Sequence, residues 1–312
     1  MIVDLPDTST AELNHRLVRI RDDGGAVALG RVLTLVVVTD DPATEPAIEA
    51  ANQASQEHPC RILVVVRAGD RGPTRLDGQI RVGGDAGASD VIVLRPSGPL
   101  TAHPEALIMP LLLPDVPVVA WWAGPPPDAP AHEPIGLLAQ RRITDVATTP
   151  APVRALTGLI TSHTPGDTDL AWARITGWRA VLAAALDQPP FEPVTSATVT
   201  GSRSSAGAAL LAGWLASRLA CPVEQVVGSG ATDPDAGDNP GPTSVRLDRR
   251  SGPVELVRAD ASTGHLDQPG QPRRRVALPP RDLADCLAEE LRRLDDDEVY
   301  DETLTRGLGL LG

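Results

Sequence analysis

Apolar positions along the chain change period several times. Leu13, Leu17 and Ile20 recur at helical spacing behind Ser9-Thr10-Ala11-Glu12. That tetrapeptide is a capping box, able to satisfy the free N–H groups of a first helical turn, and Gly24-Gly25 ends the helix. Residues 31–39 (RVLTLVVVT) and 60–67 (CRILVVVR) are instead unbroken β-branched runs, with a helical stretch from 44 to 57 between them. A strand that is apolar without alternation is covered on both faces. The two runs therefore predict neighbouring strands of a largely parallel sheet joined by a crossover helix.

The same reading gives further strands at 79–82, 90–94, 116–121 and 143–146, and helices at 104–113, 136–141 and 151–162. After the strand bearing Trp121 and Trp122 comes a proline-rich loop from Pro125 to Pro134, at a position where α/β proteins often place binding surface. Thr164-Pro165-Gly166-Asp167 is rich in turn formers and marks a boundary between two domains, 1–164 and 168–312. Beyond it, Thr168 or Asp169 caps a helix running to about 187, with Ile175, Trp178, Leu182 and Leu186 as its buried stripe. A strand at 197–200, a helix at 204–219 and a strand at 223–227 repeat the strand, helix, strand order. Strands at 244–247, 254–257 and 274–277 add an antiparallel edge. Leu283, Cys286, Leu287, Leu291 and Leu294 form the stripe of a last helix. Residues 229–243 (SGATDPDAGDNPGPT) hold almost no apolar side chain and read as a mobile loop. The expected fold class is α/β: two α/β units, each a mixed, largely parallel sheet flanked by helices.

Composition narrows what such a fold can do. The 312 residues carry a formal net charge of -13, and the basic side chains are all arginine. An acidic chain has no broad affinity for nucleic acid. Without lysine there is no P-loop lysine, no Schiff base and no lysine general base. Residues 1–9 include Asp4 and Asp7 and lack the basic start and apolar core of a secretory signal. The most apolar segment, 107–124, is interrupted by Pro110, Pro114, Asp115 and Pro117, which suits a helix end followed by a strand better than a membrane span. A cytoplasmic protein with no membrane partner is expected, and the dispersed Cys60, Cys221 and Cys286 read as reduced core thiols.

Candidate chemistry is sparse. Gly201-Ser202-Arg203-Ser204 follows a strand and opens a helix, where backbone N–H groups can hold a phosphate, with Arg203 in support. It is neither GxGxxG nor GxxxxGK[ST], and plain helix capping is the favoured reading. The six histidines show no ligand spacing, so no metal site is assigned, and with no GxSxG elbow no catalytic triad is assigned. Aromatic usage says more, for five Trp accompany one Phe and one Tyr. Trp172, Arg174, Trp178 and Arg179 crowd the start of the helix beyond the domain break. Trp178 belongs to the buried stripe, four residues from Arg174, and the two can stack. Trp172, Arg174 and Arg179 are read as accessible partner contacts, with Trp121 and Trp122 as a second such place, because Trp and Arg dominate interface hot spots.

Six stretches carry a resemblance: MIVDLPDT (1–8), GGAVALGRVLTLVVV (24–38), HPCRILVVV (58–66), LPDVPVVAWW (113–122), RRITDV (141–146) and TDLAWARITGWR (168–179). Their order and spacing resemble the actinobacterial glucose-6-phosphate dehydrogenase assembly protein family, OpcA. The resemblance implies an accessory factor, not an enzyme, that binds glucose-6-phosphate dehydrogenase and promotes its active oligomeric state. It implies no catalytic residue and no cofactor, and leaves this chain's own oligomeric state open. The alternative, a sugar-phosphate or nucleotide-binding enzyme using the turn from Gly201 to Ser204, remains open on the residues alone.

Overall fold

The computed structural model describes residues 1–24, 30–67, 69, 71–83, 89–228 and 241–311. In chain order its first elements are β1 (Ile2–Leu5), α1 (Thr10–Gly24), β2 (Leu33–Asp40), α2 (Thr44–Ala54), β3 (Cys60–Arg67), β4 (Arg75–Arg81), β5 (Asp90–Ser97), α3 (Pro104–Ile108), β6 (Val118–Trp122) and β7 (Arg141–Thr144). There follow α4 (Pro152–Leu159), β8 (Asp167–Asp169), α5 (Leu170–Arg174), α6 (Thr176–Leu186), β9 (Ser196–Gly201), α7 (Ala206–Leu219) and β10 (Val223–Val227). The last are β11 (Pro242–Asp248), β12 (Val254–Arg258), β13 (Thr263–Asp267), β14 (Arg274–Ala277), α8 (Leu283–Arg292) and α9 (Glu298–Glu302). They divide into two compact units: Met1–Asp145 with Gly166–Thr168 and Leu283–Asp296, and Val146–Pro165 with Asp169–Asp282 and Asp297–Gly312.

The first unit is built on an eight-stranded sheet in the order β1-β4-β5-β3-β2-β6-β7-β8. Its centre, β5-β3-β2-β6-β7, is parallel, and β4 and β1 add an antiparallel edge. The chain lays down β2, β3 and β5 in one direction and then returns to place β6 and β7 on the other side of β2, so the strand order reverses between β2 and β6. All of β2 up to Thr39 is buried, as is β3 up to Val66, which accounts for their lack of alternation. On one face, Leu13 and Leu17 of α1 join Ile108 and Leu111 over Val36, Val38, Leu63 and Ile92. Leu13 sits so close to β4 that a β-carbon on Gly78 would come within 2.6 Å of it. The capping box is realised in altered form: Ser9 Oγ accepts from the Glu12 N–H at 3.2 Å, while the Glu12 carboxylate accepts from the Thr8 hydroxyl. Helix α2 packs on β2 and β3 and against α8, which arrives from far along the chain. There the buried Glu290 carboxylate of α8 pairs with the buried Arg141 guanidinium of β7.

The second unit holds a six-stranded sheet, β10-β9-β11-β12-β13-β14, in which β10 and β9 are parallel and every other pair is antiparallel. Its core joins Val199, Val245 and Leu256 of the strands to Trp178 and Leu182 of α6 and to Leu210 and Leu211 of α7. Helix α7 is made of Ala, Gly and Leu over most of its length. Small side chains let it be enclosed: a β-carbon on Gly307 would lie 2.3 Å from the carbonyl oxygen of Gly213.

Two α/β regions of mixed strand order match the expected fold class, with differences of detail. The antiparallel part of the second sheet is most of that sheet and not merely its edge. The expected helix at 136–141 is a single 3-10 turn at Gly136–Leu138, after which Arg141 opens β7. The turn-rich boundary ends in a three-residue strand, β8. The helix expected to run to 187 is interrupted at Ile175. Its N-cap is Asp169, whose carboxylate accepts from the N–H groups of Ala171 and Val146. Of the loop expected at 229–243, residues 229–240 lie outside the described residues, and Pro242 already begins β11.

Candidate functional site

In an open α/β sheet the loops leaving two strands diverge where the strand order reverses, and a crevice forms at the carboxyl ends. The first unit has such a crevice, of about 390 Å³, at the ends of β2, β3, β5 and β6. Val38, Val65 and Trp122 line it from the strands, and Pro127 and Pro134 from the loop after β6. Against these apolar walls stand two charged side chains, Arg67 at the last position of β3 and Glu133 of the loop. They form no ion pair with each other or with any other described residue. Gly124 gives the guanidinium room, for a β-carbon there would approach Arg67 Nη2 to 3.1 Å. The proline-rich loop thus lies where the sequence reading placed it. Arg67 and Glu133 were not singled out by that reading, although a charged residue closing an apolar strand run is a visible signal.

The turn between β2 and α2 is carboxylate-lined. Asp40 accepts from the Ala43 N–H at 3.3 Å, and Asp41 pairs with Arg95. Dinucleotide-binding folds keep glycines here and lay a pyrophosphate on the helix N-terminus; here the Asp40 carboxylate fills the cap instead.

The Trp-rich segment is placed differently from the expectation of an accessible helix start. Trp172 is 1% exposed, with its indole N–H donating to Asp297 at 2.8 Å. The second carboxylate oxygen of Asp297 accepts from the Val299 and Tyr300 N–H groups, which caps α9. The Tyr300 ring lies 5.8 Å from the Trp172 ring, and the Arg179 guanidinium lies over that ring at 3.6 Å. His163 meets Asp301 at 2.9 Å on the same side. Arg174 and Arg179 are half-buried. The cation over Trp178 is Arg258, since the break at Ile175 takes Arg174 and Trp178 out of one helical register. Trp121 is fully buried on the face opposite Trp122, and its indole N–H finds no partner among the described residues.

At the Gly/Ser turn three N–H groups are engaged inside the chain. Ser204 N–H donates to Ser202 Oγ, Ser205 N–H to the Ser202 carbonyl, and Ala208 N–H to Ser205 Oγ. The Ser202 and Ser204 hydroxyls bond to each other at 3.0 Å, and Arg203 is exposed. Gly201 is required for packing, as a β-carbon would meet that of Ala208 at 2.7 Å. This is the geometry of a helix cap.

Among the described residues no group of three His, Cys, Asp or Glu is arranged to hold a metal, and no helix is long and apolar enough to cross a membrane. The three cysteines are free thiols, with Cys60 and Cys286 buried. Burial pushes the Cys60 thiol up to about 11, only partly countered by the Ser89 hydroxyl and Arg31. The thiolate is the species that reacts. Brief iodoacetamide treatment of the native protein at pH 8 should therefore modify Cys221 alone, with all three reacting after denaturation. Native modification of Cys60 read by peptide mass spectrometry would show that its strand opens or that the thiol is activated.

Two family models match the chain. Both describe a glucose-6-phosphate dehydrogenase subunit: the model of its N-terminal domain covers residues 51–160, and the model of its C-terminal domain covers residues 165–304. No curated protein matches. Among solved structures, the UDP-N-acetylglucosamine 3-dehydrogenase GnnA of Acidithiobacillus ferrooxidans aligns over 89% of this chain and 97% of its own, at 10% identity and a TM-score of 0.35. A likeness that weak carries no argument about fold or activity.

Proposed function

Since this chain belongs to the glucose-6-phosphate dehydrogenase assembly protein family, OpcA, we infer that it is an accessory protein of that dehydrogenase and not itself an enzyme. It binds glucose-6-phosphate dehydrogenase and promotes its assembly or active oligomeric state, at the entry to the pentose phosphate pathway. The observation that carries this reading is the match of both domain models, in order, over most of the chain. The alternative of an enzyme working at the Gly201 turn has no support beyond a helix cap, in which the Ser204, Ser205 and Ala208 N–H groups already donate within the chain.

Activation without chemistry means differential binding: the chain holds the active form of its partner more tightly than the inactive form. Shifting a population from 1:99 to 99:1 takes about 5.5 kcal/mol of differential affinity. We place the contacts at Arg174 and Arg179, with Trp172 as the seat that holds Arg179; Trp121 and Trp122, read from the sequence as a second contact, are 0% and 3% exposed and are core residues instead. A half-buried arginine held over an aromatic ring, as Arg179 is over Trp172, loses little entropy on binding, which favours it as an anchor. A domain boundary at 164–167 is part of the proposal, supported by the point where the two family models meet, and so is a cytoplasmic location, supported by the partner being a metabolic enzyme. The test is to assay each purified component alone and together, with size-exclusion chromatography in parallel. The chain alone should reduce no NADP, and the dehydrogenase should gain activity and mass saturably as the chain is added. Unchanged activity and mass in the mixture would overturn the reading.

A further inference from the structure

The sheet of the second unit ends in two edges of opposite character. At one end β14 carries Arg274 and Arg275 directly after Arg273, and charge of one sign along an edge keeps other strands from pairing with it. At the other end β10 reads VEQVV, with no proline, arginine or bulge, and its Val226 and Val227 are 37% and 51% exposed. Among the described residues no strand lies on its far side. The ladder to β9 fixes which backbone groups that far side offers. Ala197 N–H donates to the Pro222 carbonyl and Gly228 N–H to the Gly201 carbonyl, so the pairing groups of 222, 224, 226 and 228 turn toward β9. Those of Val223, Gln225 and Val227 turn outward, three donors and three acceptors in a row. Such a row is a template for another strand.

The row is its own complement. Laid antiparallel on a second copy about a twofold axis through Gln225, β10 sets Gln225 against Gln225 and Val223 against Val227. Each of these pairs exchanges both of its hydrogen bonds, so all six outward groups are used. Val223 lies in the core beneath α7, and by alternation Val227 shares its face, so the half-exposed Val227 gains an apolar neighbour. On the other face Glu224 meets Val226. Centring the axis on Glu224 sets that carboxylate against itself, and centring it on Val226 leaves Val223 opposite no residue of the strand, so one register is selected. We propose that β10 pairs antiparallel with β10 of a second copy of this chain, joining the two six-stranded sheets into one. Five residues a side bury less than the roughly 1,200 Å² of a standard interface, which makes the dimer a reversible one. A twofold accessory presents every surface that meets the dehydrogenase twice, a direct means of promoting an oligomer. The pairing does not need that partner, so the full chain alone tests it.

Sedimentation velocity from about 1 μM to about 1 mM should show the mass rising from one chain toward two. Val227→Lys puts a charge against Val223 of the copy, and Gln225→Pro removes the central outward donor, which the ladder to β9 does not use. Each should raise the dimer dissociation constant at least about tenfold. Val227 is half exposed, so Val227→Lys should melt with the wild type and keeps the test valid if the proline variant does not fold. Gln225→Cys should form a disulfide-linked dimer on mild oxidation, because the paired Cα atoms stand about 5.5 Å apart. The native Cys221 lies eight residue steps from its copy, about 27 Å, and should not cross-link. A monomer at about 1 mM, an unweakened dimer in Val227→Lys, or a wild type that cross-links through Cys221 would each overturn the proposal. So would a monomeric chain that loses the dehydrogenase on Val227→Lys, which gives the edge to a strand of that partner instead.

Discussion

Trp172→Ala should lower the stability of the second unit by about 3–5 kcal/mol, the cost of emptying a buried aromatic site. The side chain is 1% exposed and serves three neighbours at once. Its ring packs on Tyr300, its N–H holds the carboxylate that caps α9, and its face carries Arg179. Removing it leaves a void and frees Asp297 from one of its donors. Trp172→Phe keeps most of the ring and drops the hydrogen bond, so it should cost about 1–2 kcal/mol. Arg179→Ala removes the stacked cation together with its hydrogen bond to the Thr176 hydroxyl, a loss of about 1–2 kcal/mol, and leaves the ring in place. The series separates stability from recognition. If Arg179 is a contact with the dehydrogenase, Arg179→Ala weakens the complex while its urea midpoint falls much less than that of Trp172→Ala. If Trp172→Ala instead unfolds at the wild-type midpoint, the ring is not a core residue and the α5–α9 packing described above is wrong.

The expectation of an exposed Trp172 fails for a reason that applies to much of this chain. Spacing within a helix identifies which side chains share a face, and it says nothing about segments that arrive from elsewhere. Trp172 is covered by Asp297 and Tyr300, over a hundred residues away. The core strands β2 and β3 are legible because burial on both faces leaves a run of Val, Ile and Leu that needs no distant information. β1 (IVDL) and β13 (TGHLD) are not, since each is short, half-polar and held by pairing with a neighbouring strand. The crevice is harder still. Its lining comes from β2, β3, β5, β6, the segment leading into α3 and the loop after β6, positions spread from Val38 to Ile135, and only the fold brings them together. What the chain order does show is the proline-rich loop, because prolines after a core strand fix the backbone locally.

The destination of α8 is the other thing periodicity leaves out, and one residue in its stripe gives it away. Glu290 falls at the spacing of Cys286, Leu287 and Leu291, where an acid has no place unless a cation meets it. That cation is Arg141 of β7, with both side chains only 4% exposed. Arg141 also donates to the Asp295 carbonyl at 2.9 Å, tying the end of the helix segment to the sheet. Removing one partner alone, by Arg141→Met or Glu290→Leu, should cost about 3–5 kcal/mol, while the double variant should return to within about 1 kcal/mol of wild type. The pH dependence distinguishes the two single variants. Burial already pushes the Glu290 carboxyl up, and Arg141 opposes it. With Arg141 gone the folded carboxyl rises further above its unfolded value, so the protein gains by holding a proton. Its stability is greatest at low pH and falls as pH climbs from the unfolded to the folded value. Arg141→Met should therefore be less impaired at pH 5 than at pH 8, and Glu290→Leu, which lacks the group, should show no such trend. Urea midpoints of the four proteins at the two pH values decide it: additive losses without a pH trend in Arg141→Met would mean that the pair does not hold α8 in the first unit.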